Sequence, residues 1–353
     1  MDKLFNDIFL KACRHEDVPY TPVWYMRQAG RYQEEYRAVR EKYSFFDISR
    51  NPDVCAKVTR LPVDKLGVDA AILFADIMTP LKARGLGVEI VEGVGPVIEH
   101  PVKSGKDLAR LGELDPRSDV PYVLDTVNLL HQQLQVPLIG FAGAPFTLAS
   151  YLVEGGPSKN YHRTKAFMYT QPGDWNVLMD YLSGLTVTYL KAQIEAGAQA
   201  VQVFDSWVGA LGEEDYRTYI APTMVKIFTE LKNTGAVSIY FGAGAGHLLK
   251  EWAKLPADVL SIDWRTSLAD ARRQGADKAL QGNLDPSLLL APWSVLKERA
   301  KKILDESDGK NGFIFNLGHG VFPEVREQTL KALTDFVHDY SQNLKKLVQK
   351  NGK

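Results

Sequence analysis

Residues 200–206 read AVQVFDS and residues 237–242 read VSIYFG, and between them the stretch 213–233 repeats its apolar residues with helical period. Both short runs are apolar at most positions and rich in valine and aromatic residues. Such runs are typical of strands buried on both faces, as in a parallel sheet covered by helices. The segment therefore predicts two parallel strands joined by a helical crossover.

Similar runs recur along the chain, and helical stretches such as 175–196 and 292–306 separate most of them. The further runs are 21–26 (TPVWYM), 70–77 (AAILFADI), 137–143 (PLIGFAG), 259–264 (VLSIDW), 278–284 (KALQGNL) and 312–318 (GFIFNLG). With the first two they make eight, and eight β-α units in 353 residues fit a closed barrel better than an open sheet. We predict an α/β fold, a single (β/α)8 TIM-type barrel domain over residues 1–353.

Residues 87–102 (GVEIVEGVGPVIEHPV) depart from this repeat. Two strand-like runs flank Gly93, Gly95 and Pro96, which is the pattern of a β-hairpin. We expect this hairpin to be inserted after the second strand.

The charge balance excludes binding driven by the overall field of the protein. Its 42 basic and 43 acidic residues are scattered and give a net charge of −1, which attracts neither nucleic acid nor an anionic membrane. The first residues do not resemble a signal peptide, and no run approaches the roughly 18 apolar residues of a membrane span. We expect a cytoplasmic protein that binds neither nucleic acid nor membrane.

The chain has two cysteines, Cys13 and Cys55, which lie far apart and outside any metal-ligand spacing. This excludes a disulfide scaffold and a structural zinc site. Two buried, idle thiols are the expected outcome.

Polar residues close several of the predicted strands, at the end of the barrel where active sites of this fold lie. They are Arg27, Asp76, Ser206, Asp263, Asn283 and His319. Aspartate, serine and asparagine also cap the helix that follows a strand, so each of them alone has that simpler explanation. Together they indicate a site.

Arg27 and Arg31 lie four residues apart around Gly30 in the run PVWYMRQAGRY (22–32). On one helical turn or in a loop, the two guanidiniums can converge, and an anion between them would relieve their repulsion. Arginine grips a carboxylate with two parallel hydrogen bonds. The alternative is a solvated turn with salt bridges to Glu34 or Glu35.

Two long motifs resemble signatures of the uroporphyrinogen decarboxylase family, MRQAGRY (26–32) and GFAGAPFTLASYLVEGG (140–156). Four shorter motifs extend the resemblance over nearly the whole chain: FADIMTP (74–80), VFDSWVG (203–209), QGNLDP (281–286) and NLGHG (316–320). The segment 157–175 matches no feature of the family that carries an assignment.

The resemblance implies a cofactor-independent carboxy-lyase, with neither metal nor prosthetic group. It would convert the four acetate side chains of uroporphyrinogen III, through partly decarboxylated intermediates, to the methyl groups of coproporphyrinogen III, releasing four CO₂ in haem biosynthesis. It also implies a homodimer whose two clefts face each other.

Loss of CO₂ from an acetate arm leaves two electrons on a methylene carbon, so an electron sink is required. No motif for pyridoxal phosphate or thiamine stands out in the sequence. A pyrrole protonated at the ring carbon beside the acetate-bearing one becomes a cation that accepts these electrons. The substrate can therefore act as its own sink.

The resemblance assigns the catalytic and substrate-binding roles. Asp76 would receive the pyrrole N–H groups and stabilise the cation, although a helix cap or buried ion pair is its simpler explanation. Arg27 and Arg31 would bind substrate carboxylates, and one of them could supply the proton. Tyr151, expected in the loop after the third strand, Ser206 and His319 would orient the reacting arm. Ser206 could instead start a helix, and His319 could cap backbone groups.

Three other functions are alternatives that the sequence argues against. A corrinoid-dependent methyltransferase of related fold would need zinc ligands, and Cys13 and Cys55 lie outside the strand ends. A porphyrinogen-binding protein without activity would not need every site residue. The run GAGAG (242–246) has GxGxG rather than GxGxxG spacing, which argues against a dinucleotide site.

Overall fold

The computed structural model describes residues 5–91, 94–110 and 112–351, without the side chains of 349–351. The strands of the described chain are β1 Ala71–Ile72, β2 Val88–Val91, β3 Gly95–Ile98, β4 Leu138–Gly143, β5 Ala200–Asp205, β6 Val237–Gly242, β7 Val259–Ser261, β8 Ala279–Leu284 and β9 Phe313–Leu317. The main sheet contains seven of them, all parallel, in the order β1-β4-β5-β6-β7-β8-β9.

Helices surround this sheet. They are α1 Ile8–Cys13, α2 Glu34–Arg40, α3 Phe45–Arg50, α4 Pro52–Leu66, α5 Thr79–Ala83, α6 Pro116–Asp119, α7 Pro121–Gln133, α8 Pro145–Glu154, α9 His162–Thr170, α10 Pro172–Glu195, α11 Glu213–Tyr219, α12 Ala221–Lys232, α13 Leu249–Trp252, α14 Leu268–Arg273, α15 Trp293–Ser307 and α16 Glu327–Asn351. Short 3₁₀ helices occupy Gly105–Arg110, Val208–Ala210, Gly246–Leu248 and Pro286–Leu290.

The predicted first strand, 21–26, is wrong in extent. Only Val23 pairs there, as an isolated parallel bridge to Phe315 of β9. Phe315 N–H donates to the Pro22 carbonyl (2.9 Å), and Asp69 N–H, just before β1, donates to the Val23 carbonyl (2.8 Å). The segment 22–24 therefore lies between β9 and the start of β1 and closes the ring. The predicted α/β barrel is confirmed, with a bridge in place of one strand.

The interior-facing strands are buried along their whole length, which explains their consecutive apolar residues. Of the second predicted strand, 70–77, only the two residues of β1 form a strand in the structure. The helical stretch 213–233 is divided at Ile220 because Pro222, near the start of α12, has no N–H to continue α11.

Strands β2 and β3 form a separate antiparallel pair, with Val88 opposite Ile98. The residues between them that include Gly93 lie outside the described residues. The pair packs near the end of α8, where Ile98 N–H donates to the Gly155 carbonyl (2.9 Å).

The barrel interior contains a polar layer below the strand ends. Trp24 Nε1 donates to Gln281 Oε1 (2.8 Å), and Gln281 Nε2 donates to both Gln202 Oε1 (3.0 Å) and Ser261 Oγ (2.9 Å). All four side chains are buried. This network fixes the relative positions of the strands on which the site residues lie.

The run 242–246 has a packing role. A Cβ at Gly246 would collide with Thr266 Oγ1, so glycine allows the loops after β6 and β7 to approach each other closely.

Among the described residues, none of the helices combines the length and the apolar character that a membrane span needs.

Candidate active site

The loop that carries Arg27 is fixed to the end of β9. Met26 N–H donates to Asn316 Oδ1 (3.0 Å), and Val321 N–H donates to the Met26 carbonyl (3.0 Å). These bonds help to hold Arg27 in the left-handed region (φ +60°), which costs a residue with a side chain about 1–2 kcal/mol. A Cβ on Gly320 would collide with the aliphatic part of Arg27, so a larger residue there would displace the Arg27 side chain.

Arg31 lies in the turn before α2, so the arginine pair sits in a loop rather than on one helical turn. The salt bridges proposed as the alternative are absent, since Glu35 pairs with Lys65. Within the ranges 5–91, 94–110 and 112–348, neither Arg27 nor Arg31 has a carboxylate oxygen within 4.0 Å. Both guanidiniums are exposed and available to an anion.

Asp76 follows β1 and opens the turn into α5. Its Oδ1 accepts a hydrogen bond from Met78 N–H (2.8 Å) within the turn before α5, and no side chain caps α5 itself, so the helix-cap explanation is wrong. Its Oδ2 has no hydrogen-bond partner in the part of the chain that the structure describes. Burial raises the pKa of Asp76, while the Met78 N–H and the charge of Arg27 oppose the rise. The half-buried carboxylate keeps acceptor capacity for a ligand.

Tyr151 lies in the second turn of α8, so its expected position in a loop is wrong. The helix begins immediately after β4 because Pro145 occupies its first turn, where a missing N–H costs nothing. The Tyr151 ring packs on Trp207 (centroids 4.0 Å apart), and Trp207 packs on Tyr161 (5.1 Å). These rings form an aromatic wall beside the site.

Ser206 directly follows β5 and is half-buried. Its neighbours are both fixed by Thr147 of α8, whose Oγ1 donates to Asp205 Oδ1 (2.7 Å) and accepts from Trp207 N–H (3.3 Å). A short 3₁₀ helix starts two residues later, so the helix-start explanation of Ser206 is partly correct.

His319 follows β9, and its imidazole ring packs edge to face on the ring of Phe241, with the two centroids 6.2 Å apart. The structure gives its ring nitrogens no hydrogen-bond partner among the described residues, unlike His338, so backbone capping does not explain it. Burial, and then the charge of Arg27, lowers the pKa of His319 to about 4. The imidazole is therefore neutral at physiological pH.

The charge of Arg27 connects these groups. It lowers the pKa of Asp76, of Tyr151 and of His319, so one guanidinium lies within electrostatic range of all three. Arg31 lowers the pKa of Tyr36, which packs on Phe74 (5.6 Å), two residues before Asp76. Asp76, Tyr151 and His319 thus lie around Arg27 at the carboxyl ends of the strands.

Comparison with known proteins identifies the family. A family model described as uroporphyrinogen decarboxylase (URO-D) matches residues 4–340. The chain is 63% identical to the uroporphyrinogen decarboxylase of Geobacillus thermodenitrificans (strain NG80-2) over 342 residues, 97% of this chain and 99% of that protein. It is 60% identical to that of Bacillus subtilis (strain 168), with 97% of both chains covered.

The chain belongs to the uroporphyrinogen decarboxylase family. Solved structures with lower identity share its fold. A methyltransferase from Methanosarcina mazei superposes with a TM-score of 0.81 at 21% identity, covering 96% of this chain and 99% of that one. A B12-independent methionine synthase from Shewanella sp. W3-18-1 gives 0.56 at 10% identity, covering 93% and 94%. At these identities the likeness shows the barrel alone.

Two of the polar strand-end residues, Asp263 and Asn283, use their side chains for contacts within the protein. Asp263 accepts from Gly244 N–H (2.6 Å) and pairs with the guanidinium of Arg265. Asn283 Nδ2 donates to the carbonyls of Asp263 (3.2 Å) and Thr266 (2.6 Å). Both therefore hold loops in place, but neither caps the helix that follows its strand, because Ser267 caps α14 and Asp285 caps the 3₁₀ helix Pro286–Leu290.

Both thiols are buried, as expected. Cys55 Sγ donates to the Phe74 carbonyl (3.1 Å), and burial raises its pKa to about 12. No group of three or more His, Cys, Asp or Glu side chains that could hold a metal occurs in the described ranges.

Sequence reasoning missed Trp207 and Thr147 as parts of the site. Trp207 lies in the motif VFDSWVG, and its position two residues after the end of a strand is the signal that could have placed an aromatic ring at the edge of the site. Thr147 gave no signal of its own, because its role depends on contact with β5.

Proposed function

We propose that this chain is a uroporphyrinogen decarboxylase that converts the four acetate arms of uroporphyrinogen III to methyl groups, giving coproporphyrinogen III and four CO₂. The observation that carries the proposal is the Asp76 carboxylate, half-buried beside Arg27 with one oxygen unpaired among the described residues. The match of nearly the whole chain to curated uroporphyrinogen decarboxylases supports it.

Asp76 accepts the pyrrole N–H groups and stabilises the ring cation. Protonation of the ring carbon beside the acetate-bearing one creates that cation, which takes the electron pair of the breaking C–C bond as CO₂ leaves. A fixed anion beneath the ring nitrogens lowers the energy of this state without needing to reorganise. The unused acceptor oxygen supports the role.

Arg27 and Arg31 bind substrate carboxylates. Each is exposed and without an acidic partner within the described ranges, so neither must break a protein ion pair to bind an anion. The left-handed backbone of Arg27, held by the loop after β9, sets the direction of one guanidinium in advance. Either arginine can pass a proton to the ring carbon.

Tyr151, Ser206 and His319 orient the reacting arm. Burial, with the nearby Asp76 charge, raises the pKa of Tyr151, so its hydroxyl remains a donor at neutral pH. The neutral imidazole of His319 can donate and accept one hydrogen bond each.

The same proposal covers the organisation of the protein. The chain acts as one catalytic domain, forms a homodimer with facing clefts, works in the cytoplasm, and uses neither metal nor cofactor. Sedimentation of the purified protein tests the dimer, and a monomer at all concentrations would contradict it.

The deciding experiment is anaerobic incubation of the purified protein with uroporphyrinogen III, followed by oxidation and mass spectrometry. We expect four successive losses of about 44 mass units, the mass of CO₂. Bound but unchanged substrate would instead indicate a porphyrinogen-binding protein.

The methyltransferase alternative rests only on fold, and one control separates it. Activity in metal-free buffer with a chelator should equal activity without the chelator. Loss of activity that zinc restores would favour the alternative.

A further inference from the structure

A buried hydrogen-bond cluster lies directly behind Ser206 and Tyr151. Its centre is Asp205, the last residue of β5, which is fully buried. Asp205 Oδ1 accepts from Thr147 Oγ1 (2.7 Å) and Oδ2 accepts from Tyr240 OH (2.8 Å). Burial raises the pKa of Asp205 to about 6, and these two donors oppose the rise. The two bonds compensate much of the cost of burying the carboxylate.

The hydroxyl of Thr147 makes two hydrogen bonds, one as a donor and one as an acceptor. It donates to Asp205 and accepts from the backbone N–H of Trp207 (3.3 Å), so it contacts the residues on both sides of Ser206. Donation to Asp205 fixes the direction of the hydroxyl proton and turns a lone pair toward Trp207. The turn 205–207 is thereby held at both ends.

The same threonine also lies on the helix that carries Tyr151. Thr147 and Tyr151 are four residues apart on α8 and so face the same side of that helix. Tyr151 completes a loop of contacts, because its ring packs on Trp207 at 4.0 Å. One hydroxyl therefore links α8 directly to both sides of the turn that carries Ser206.

We propose that Thr147, oriented by Asp205, is a positioning residue that holds Ser206 and Tyr151 in register for the reacting arm of the substrate. This inference rests on the proposed function, because it takes Ser206 and Tyr151 as substrate contacts. Thr147 itself is fully buried and touches no substrate.

The test compares three variants. Thr147→Val keeps the shape but removes the hydroxyl, and we expect kcat to fall about 10- to 100-fold, as misplacement of catalytic groups does. Thr147→Ser keeps the hydroxyl and should stay within about threefold of wild type. Thr126→Val is the matched control, since Thr126 is equally buried and donates to the Tyr122 carbonyl (2.7 Å) on α7. It should retain full activity.

A double-mutant cycle separates positioning from loss of stability. If Thr147 acts through Ser206 and Tyr151, then Thr147→Val should cost less than about threefold in a background that carries both Ser206→Ala and Tyr151→Phe. Equal costs in both backgrounds, with thermal unfolding of Thr147→Val and Thr126→Val shifted alike, would overturn the inference.

Tryptophan emission gives a readout without turnover. Thr147→Val should change the emission of the wild-type protein but not of a Trp207→Phe protein, because the altered ring stack is that of Trp207. Identical spectra for wild type and Thr147→Val would contradict the inference alone. Wild-type protein that releases no CO₂ would contradict the proposed function instead.

Discussion

Two aspartates flank β1, and they are used in opposite ways. Asp69, before the strand, accepts hydrogen bonds from Asn6 Nδ2 (3.0 Å), Tyr20 OH (3.1 Å), Val23 N–H (2.8 Å) and His338 Nε2 (2.7 Å). Asp76, after the strand, accepts a single hydrogen bond among the described residues, from Met78 N–H.

The difference follows from the two ends of the barrel. At the amino end, Asp69 is almost fully buried, and its four donors come from distant segments that it joins together. At the carboxyl end, Asp76 is half-buried and its acceptor capacity is left open. A carboxylate whose acceptor capacity is filled stabilises the fold, whereas one with an open acceptor oxygen can stabilise a bound cation.

The largest effect on activity should come from Asp76→Asn. The amide keeps an oxygen for Met78 N–H but removes the negative charge, so kcat should fall about 10²- to 10³-fold while folding is retained. Rates of CO₂ release and urea unfolding curves measure both. A near-normal rate would break the contrast between the two aspartates.

Asp69→Asn should give the opposite result. The new amide can accept through one atom only, so buried donors lose their acceptor and the free energy of unfolding should fall by about 3 kcal/mol. Urea unfolding measures the loss, and the folded fraction should keep nearly full specific activity. Unchanged stability would show that the four hydrogen bonds of Asp69 contribute little.

Arg31→Ala should weaken substrate recognition by about tenfold in kcat/KM, the effect of losing one charge-assisted contact of about 1.4 kcal/mol. The control for removing one positive charge is Arg299→Ala, since Arg299 is an exposed residue of α15, and this variant should match wild type. Equal kinetics for all three proteins would remove Arg31 from the site.

The smallest effect concerns His319. Because its pKa is lowered to about 4, its imidazole stays neutral as pH falls from 8 to 5.5 and gains a proton only as pH approaches 4. The ratio of wild-type to His319→Gln rates should therefore stay within about twofold over pH 5.5–8. A drop in this ratio below pH 6.5 would indicate an imidazole with its ordinary pKa.

The barrel was readable from the sequence because burial on both faces leaves a local mark, as in β5 and β6. The extent of the first two strands could not be predicted from the sequence, since pairing of Val23 depends on Phe315 and on the residues before β1. Those partners are remote in sequence, and a local apolar run does not determine how many of its residues join a ladder.

The polar strand ends predicted the location of Asp76, Ser206 and His319, because strand ends of a parallel barrel meet at one face. The helical position of Tyr151 follows from Pro145, which favours the first turn of a helix, and not from the end of the strand alone. The bridge made by Thr147 could not be predicted, because a hydroxyl inside an apolar helix carries no mark of its partner on another strand.

The bridge at Val23 has a consequence for synthesis on the ribosome. The segment 22–24 is made long before its partner Phe315 and before the α16 residue Ser341, whose Oγ accepts from Thr21 N–H (2.9 Å) across 320 positions of the chain. The nascent chain therefore cannot close its ring until Phe315 has left the exit tunnel. The loop of Arg27 is made before most of the barrel, yet it reaches its final position only after β9 has formed.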